Sequence, residues 1–204
     1  MEFILFLYFI IILSAVFHEF LHAWMADYLG DDTAKRMGRL TLNPLPHIDL
    51  FGTILMPVFL FLISGGRFLF AYAKPVPYNP YNLRNQKTGP ALVGLAGPMA
   101  NLLVAVVFGL LVRFLPSGSF SGLLSIIVYA NVLLMVFNLI PIPPLDGSKI
   151  LYAVLPDRWA SVRMFLDRYG FFILLFFLFF AFSLIQPIIG IIFKFLVGSF
   201  PQFI

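Results

Sequence analysis

The chain has 204 residues, of which 61% are hydrophobic and only 11% are charged, and its mean hydropathy is +1.00. These values exclude an ordinary soluble globular protein and predict a polytopic membrane protein. The net charge of +4 does not indicate nucleic-acid binding, because the basic residues flank apolar runs and so indicate orientation in a bilayer. The absence of cysteine leaves only His, Asp and Glu as protein ligands for a metal.

The first apolar run, residues 3–26, is predicted to remain as a membrane span, because it exceeds 20 residues and lacks the basic start of a signal peptide. It contains the sequence His18-Glu19-Phe20-Leu21-His22. Two histidines four residues apart on a helix can reach one metal ion, and Glu19 lies where it can take a proton from a metal-bound water. The alternative is a pair of core histidines with a salt-bridged Glu19, but no basic residue lies nearby in the helix.

Two features are predicted between the first and second long spans. Residues 38–43 alternate polar and apolar side chains, which favours a short strand at an exposed edge, with an ordinary surface turn as the alternative. The apolar run at residues 50–64 has about 15 residues, fewer than the roughly 20 that a crossing helix needs. We therefore expect it to be re-entrant or interfacial. Prolines at 75 and 77 predict an extended chain over residues 71–77.

The second half of the chain contains two clear spans, residues 89–112 and 121–140, followed by a proline-rich stretch and a final apolar run at residues 170–198. The final run is broken at Gln186-Pro187 and fits either a kinked span or a span plus a short returning helix. The predicted fold is an all-α polytopic membrane protein with four to six transmembrane or re-entrant helices and a small membrane-associated β element. We expect a single domain over residues 1–204, with a catalytic core at about 10–155 and a C-terminal apolar helical region at 170–198.

The third metal ligand is predicted from the surroundings of the acidic residues. Among the aspartates, Asp146 alone lies in a proline-distorted, mostly apolar stretch and precedes a glycine. Asp27, Asp31 and Asp32 are expected in an exposed loop, Asp157 and Asp167 lie in a basic loop, and Asp49 precedes the short apolar segment. If residues 50–64 do not cross, Asp146 lies on the same side of the membrane as His18 and His22, and the basic loops place that side in the cytoplasm. His47 is an alternative ligand, and a structural turn residue is the alternative role for Asp146.

Three motifs occurring in order resemble the site-2 proteases, a family of intramembrane zinc metalloproteases. They are His18–His22 for H-E-x-x-H, Gly97–Asn101 for G-P-x-x-N, and Asn138–Gly147 for N-x-x-P-x-x-x-L-D-G. The resemblance covers residues 10–155. The chain resembles a compact, stand-alone prokaryotic member of the family, without the PDZ domain or the nucleotide-binding domain of larger members.

The resemblance implies that His18, His22 and Asp146 bind one zinc ion and that Glu19 acts as general base and acid. It also implies that Asn101 and Asn138 position the substrate or the site. The expected reaction is hydrolysis of peptide bonds within or near the transmembrane segments of substrates such as single-span proteins or remnant signal peptides. The expected location is a prokaryotic cell membrane, with the lipid bilayer as partner and the active site towards the cytoplasm.

Two other functions remain compatible with the same residues. A metal-ion carrier would use the histidines, Glu19 and Asp146 as a transport site, but such proteins often show paired halves, and no internal repeat is visible here. A non-catalytic protein that binds transmembrane helices would not need Glu19. The presence of Glu19 therefore favours the protease.

Overall fold

The computed structural model describes residues 2–63, 65 and 73–198, with the backbone alone for residues 2–5. Its α-helices are α1 (Glu2–Tyr28), α2 (Thr33–Arg36), α3 (Met56–Ile63), α4 (Gly89–Phe114), α5 (Ser119–Asn138), α6 (Gly147–Val154), α7 (Ala160–Phe176) and α8 (Gln186–Val197). Short 3-10 helices occur at Leu45–His47, Pro80–Asn82, Asp157–Trp159 and Phe182–Leu184, and π-helical turns at Leu50–Leu55 and Phe177–Ala181.

Among the residues that the structure describes, four helical stretches are long and apolar enough to cross a membrane: Phe6–Tyr28, Gly89–Phe114, Ser119–Asn138 and Asp157–Leu184. Two shorter apolar stretches, Leu50–Ile63 and Gln186–Val197, accompany them. A helix satisfies its own backbone hydrogen bonds, which is why apolar runs of this length adopt it in hydrocarbon. The predicted all-helical membrane architecture is confirmed.

The predicted β element is wrong, because no strand occurs among the described residues, including residues 38–43. Local hydrogen bonds take the backbone groups that a strand would offer to a partner. The Thr41 hydroxyl accepts from the Asn43 N–H, the Asn43 side chain accepts from the Leu45 N–H, and the His47 ring donates to the Thr41 carbonyl. Such side-chain bonds compete with sheet formation and favour turns.

The short apolar segment at Leu50–Ile63 begins at a defined cap. The Asp49 side chain accepts from the Gly52 N–H at 2.6 Å, which satisfies one of the free donors at the helix start. The 14 helical residues of Leu50–Ile63 extend about 21 Å, less than the roughly 30 Å of the hydrocarbon core. The segment stays a predicted re-entrant or interfacial element.

The centre of the molecule is formed by α1, α4 and α5. Small residues on α4, among them Gly94, Gly97 and Ala100, are buried and allow the helices to approach closely. The final apolar run divides at Ile185, next to the predicted break, and α8 buries Ile189 and Phe193 against α4 and α5. The structure therefore fits the prediction of a span followed by a short helix better than the prediction of one kinked span.

The end of α1 is shaped by Gly30, which has a φ of +110°. The Asp31 N–H donates to the Ala26 carbonyl at 2.9 Å and the Gly30 N–H donates to the Asp27 carbonyl at 3.1 Å. This pair of bonds is a Schellman motif, which needs a left-handed residue where glycine stands. The turn directs Asp31 into the protein, where it is fully buried.

Candidate metal centre

Three side chains converge at the predicted metal site. The Nε2 atoms of His18 and His22 lie 3.0 Å apart, and Oδ2 of Asp146 lies 3.0 Å from the first and 3.1 Å from the second. Each of the three residues is only 6% exposed. Helix α1 supplies both histidines, and the turn that precedes α6 supplies Asp146. The three ligand atoms thus form a nearly equilateral triangle inside the protein.

The other nitrogen of each histidine ring is fixed by an acceptor on α4. His18 Nδ1 lies 2.6 Å from Oδ1 of Asn101, and His22 Nδ1 lies 2.6 Å from the Val93 carbonyl. Both partners are acceptors, so each Nδ1 carries a proton, and in the neutral ring Nε2 presents a lone pair to the centre of the triangle. Partners of this kind set the tautomer and orientation of metal-binding histidines.

The orientation of Asn101 is itself fixed by a buried polar network. Its Nδ2 donates to Oδ1 of Asn131 on α5 at 2.9 Å, and Nδ2 of Asn131 donates to the Ser14 hydroxyl on α1 at 2.9 Å. Asn101 and Asn131 are both fully buried. Because an unpaired amide in the interior is costly, this network fixes three helices relative to one another and to the His18 ring.

These residues fit a zinc ion. Tetrahedral zinc with bonds of about 2.0–2.1 Å separates its ligand atoms by roughly 3.3 Å, close to the observed triangle. Two imidazole lone pairs and a carboxylate facing one another also repel, and a cation between them removes that repulsion. Two histidines and one carboxylate are a ligand set of catalytic zinc sites, which keep the fourth position open.

Glu19 lies beside the triangle without belonging to it. Its ligand atom and those of His18 and His22 lie within 4.8 Å of one another. One carboxylate oxygen, Oε2, accepts a hydrogen bond from the Val76 N–H at 2.8 Å. This contact was not predicted from the sequence, since no pattern links residue 19 to residue 76. The hydrogen bond fixes one of the two carboxylate oxygens of Glu19.

Residues 73–79, here called the proline segment, cross the site and are fixed at both ends. The Lys74 N–H donates to the His47 carbonyl at 2.9 Å, and the Asn79 N–H donates to Oδ2 of Asp31 at 2.6 Å. Residues 73–79 adopt neither helix nor strand, in line with the extended chain predicted from the prolines, and residues 71 and 72 lie outside the described residues.

The buried carboxylate of Asp31 is a second residue that the sequence reasoning missed, because it was expected in an exposed loop. It accepts hydrogen bonds from the Thr33 hydroxyl and N–H, the Asn79 N–H and the Asn82 side chain. Burial raises the pKa of Asp31, but these hydrogen bonds outweigh burial and hold it below its ordinary value of 3.8. Asp31 thereby ties the proline segment to the end of α1.

The remaining predicted site residues lie elsewhere. Asn138 is half-buried and donates to the Leu134 carbonyl of its own helix at 2.9 Å, so its role in positioning substrate stays a prediction. His47, the alternative ligand, is buried and its Nε2 donates to the Thr41 carbonyl at 2.9 Å. It is not part of the His18, Glu19 and His22 cluster found in the described part of the chain.

Helices long enough to span a membrane surround a cluster of two histidines and two carboxylates, which defines the class as a membrane protein with a candidate metal centre. Comparison with known proteins identifies the family. The model of "Peptidase family M50" matches residues 114–180, a stretch that includes Asp146 but not the two histidines. No solved structure gives a significant match.

Several similar proteins carry the printed name "Putative zinc metalloprotease". YwhC of Bacillus subtilis is 40% identical over 81% of this chain and 76% of its own length. MJ0611 of Methanocaldococcus jannaschii is 30% identical over 76% of this chain and 72% of its own length. Rip2 of Mycolicibacterium smegmatis is 34% identical over 67% of this chain and 52% of its own length. The chain belongs to peptidase family M50, the site-2 protease family. It is a membrane zinc metalloprotease.

Proposed function

We propose that the chain hydrolyses peptide bonds within or near the transmembrane segments of membrane proteins. The single observation that carries this proposal is the triangle of His18 Nε2, His22 Nε2 and Asp146 Oδ2, with Glu19 beside it. We take the three triangle residues as zinc ligands and Glu19 as the general base. Substrates of this kind include single-span proteins and remnant signal peptides.

The chemistry divides between the metal and the side chains. A bound zinc ion lowers the pKa of a coordinated water and polarises a peptide carbonyl. Glu19 accepts a proton from the attacking water through the carboxylate oxygen that Val76 does not hold, and later returns it to the nitrogen of the leaving amine. Asn101 and the Val93 carbonyl keep the histidine rings in the ligating tautomer.

The membrane setting adds a requirement on the substrate. A helical peptide hides its carbonyls in intrahelical bonds, so a transmembrane substrate must unwind locally before attack. The basic residues concentrate in the loops next to Asp146, and the positive-inside rule therefore favours a site that faces the cytoplasm, where water reaches it. The bacterial and archaeal relatives favour a prokaryotic cell membrane.

The proposal is tested by incubating purified protein in detergent with single-span substrates, with and without a zinc chelator. We expect cleavage that stops on chelation and returns with added zinc. The variant Asp146→Ala should lose both zinc and cleavage, and the matched variant Asp49→Ala should keep both, since the Asp49 side chain caps the start of Leu50–Leu55 instead. Equal zinc content in the two variants would exclude Asp146 as the third ligand.

A further inference from the structure

Lys149 lies directly behind the triangle and contacts one of its members. Its Nζ is 2.8 Å from Oδ1 of Asp146, while Oδ2 of the same carboxylate faces His18 and His22. The two oxygens of Asp146 therefore have different partners. The Lys149 side chain is only 28% exposed, and that of Asp146 is 8% exposed, so this ion pair is largely shielded from solvent.

The position of Lys149 is determined by three elements. It stands in the first turn of α6, three residues after Asp146. Its stem lies against Gly94 of α4, where a Cβ atom would be 3.0 Å from the Lys149 Cδ. From the proline segment, the Tyr78 ring lies 5.5 Å from Nζ, within the range of a cation–π contact. The more exposed ion pairs, such as Lys87 with Asp157, have no comparable enclosure.

This arrangement bears on how Asp146 can bind a metal. A carboxylate binds a metal through one oxygen or through both, and the second mode takes up one more coordination position. A catalytic zinc site needs that position for water. An ammonium hydrogen-bonded to Oδ1 takes one lone pair of that oxygen, and its positive charge disfavours a second cation at the same atom.

We propose that Lys149 is a positioning residue that makes Asp146 a one-oxygen ligand and so keeps the fourth metal position open. This inference rests on the proposed function, since it takes Asp146 as a zinc ligand. In this role Lys149 acts on the Asp146 carboxylate and does not bind the metal itself.

The test is the visible spectrum of the cobalt-substituted protein, because coordination geometry determines the intensity of cobalt bands. Metal-free protein in detergent is loaded with Co²⁺ as wild type, Lys149→Met and Lys149→Arg. We expect wild type and Lys149→Arg to show the intense bands of a four-coordinate ion. Lys149→Met should bind cobalt but lose more than about half of the absorption per bound ion, as in five-coordination. Lys35→Met, which removes an exposed ion pair, is the matched control and should resemble wild type.

Each outcome decides between the alternatives. A wild-type spectrum in Lys149→Met would overturn the inference, and so would the same altered spectrum in Lys149→Met and Lys149→Arg, because the arginine restores a charged N–H donor. Loss of cobalt binding in Lys149→Met alone would also overturn the inference, because Lys149 would then be needed for metal binding itself and not for its geometry. Failure of wild type itself to bind cobalt would instead refute the metal site on which the proposed function depends.

Discussion

Gly97 of α4 faces the two histidine rings so closely that no larger residue fits. A Cβ atom built at this position would lie 2.5 Å from Nε2 of His22 and closer still to Nε2 of His18. Neither ring can yield easily, because Asn101 and the Val93 carbonyl hold their Nδ1 atoms. The glycine of the G-P-x-x-N motif therefore leaves room for the rings and for a metal between them.

We expect Gly97→Ala to lower zinc affinity by about tenfold or more, since the added methyl group must displace a ligating ring. Zinc content after dialysis against a graded series of chelator concentrations measures the effect. Gly118→Ala is the matched control, because nothing lies within 4 Å of its Cβ position. Wild-type zinc retention in Gly97→Ala would mean that the rings occupy other positions when metal is bound.

We expect Glu19→Gln to keep zinc but to reduce cleavage by about 10²-fold or more, because the amide preserves the shape and removes the proton acceptor. Metal content and turnover are measured on the same preparation. Asp157→Asn serves as control, since that carboxylate is 98% exposed. Turnover near the wild-type rate in zinc-loaded Glu19→Gln would assign the base to another group.

The sequence predicts this site only as far as local spacing and the family motifs reach. The interval between His18 and His22 fixes their common helix face, and the motif around Asp146 identifies a carboxylate in a distorted apolar stretch. Asn131 and Val76 could not be assigned to the site in this way. Asn131 is 30 positions from its partner Asn101, and Val76 is 57 positions from its partner Glu19. A polar residue within a span was the one available signal for Asn131.

The proline segment shows how an element without regular structure can be fixed by hydrogen bonds. Its backbone N–H groups at Lys74, Val76 and Asn79 donate to His47, Glu19 and Asp31 respectively. The prolines at 75 and 77 cannot donate, so the anchoring N–H groups come from the residues before, between and after them. Asp31 is the anchor with the most partners, and it stabilises the proline segment at the side of α1.

We expect Asp31→Ala to lower the free energy of unfolding by about 1–3 kcal/mol, since it removes the acceptor of the half-buried Thr33 and Asn79 N–H groups. Thermal unfolding in detergent at pH 7 is the measurement. Asp32→Ala should change it by less than about 0.5 kcal/mol, because Asp32 pairs with exposed Arg36.

The folded-state pKa of Asp31 is depressed, so its contribution is present above the unfolded pKa of about 3.8 and is lost only as the pH falls through the lower folded value. The difference between Asp31→Ala and wild type should therefore be the same at pH 7 and pH 5. A difference that disappears at pH 5 would contradict the role given to the hydrogen bonds of Asp31.

Most helices were predicted correctly and the strand at residues 38–43 was predicted wrongly, for a physical reason. Long apolar runs have few alternatives to helix in hydrocarbon, so composition located the first three spans closely. The fourth, Asp157–Leu184, begins inside the stretch that was expected to be a basic loop, and only its second half was predicted. The alternating pattern at residues 38–43 required a partner strand to be realised, and the side chains of Thr41 and Asn43 form turn-stabilising hydrogen bonds instead. Alternation in a short polar loop is thus a weak predictor of pairing.

The whole molecule places its loops in two groups at opposite ends of the spans. Contact between Asp146 and the α1 histidines fits the topology in which Leu50–Ile63 does not cross. Lys87 and Asp157 approach to 3.9 Å, which brings the loop before α4 and the start of the fourth span together. Of the 13 Lys and Arg residues, only Arg113 and Lys194 lie outside residues 35–87 and 149–168.

The last prediction is that this basic, site-bearing end faces the cytoplasm. Because the chain has no cysteine, single cysteines at Gln86 and Asp157 can be tested in intact cells with a thiol reagent that does not cross membranes. Both positions should be protected, and a cysteine at Ser117, in the loop between α4 and α5, should react from outside. Reaction at Gln86 and Asp157 with protection at Ser117 would invert the orientation and place the zinc site at the outer face. Different behaviour at Gln86 and Asp157 would contradict the packing that joins their loops.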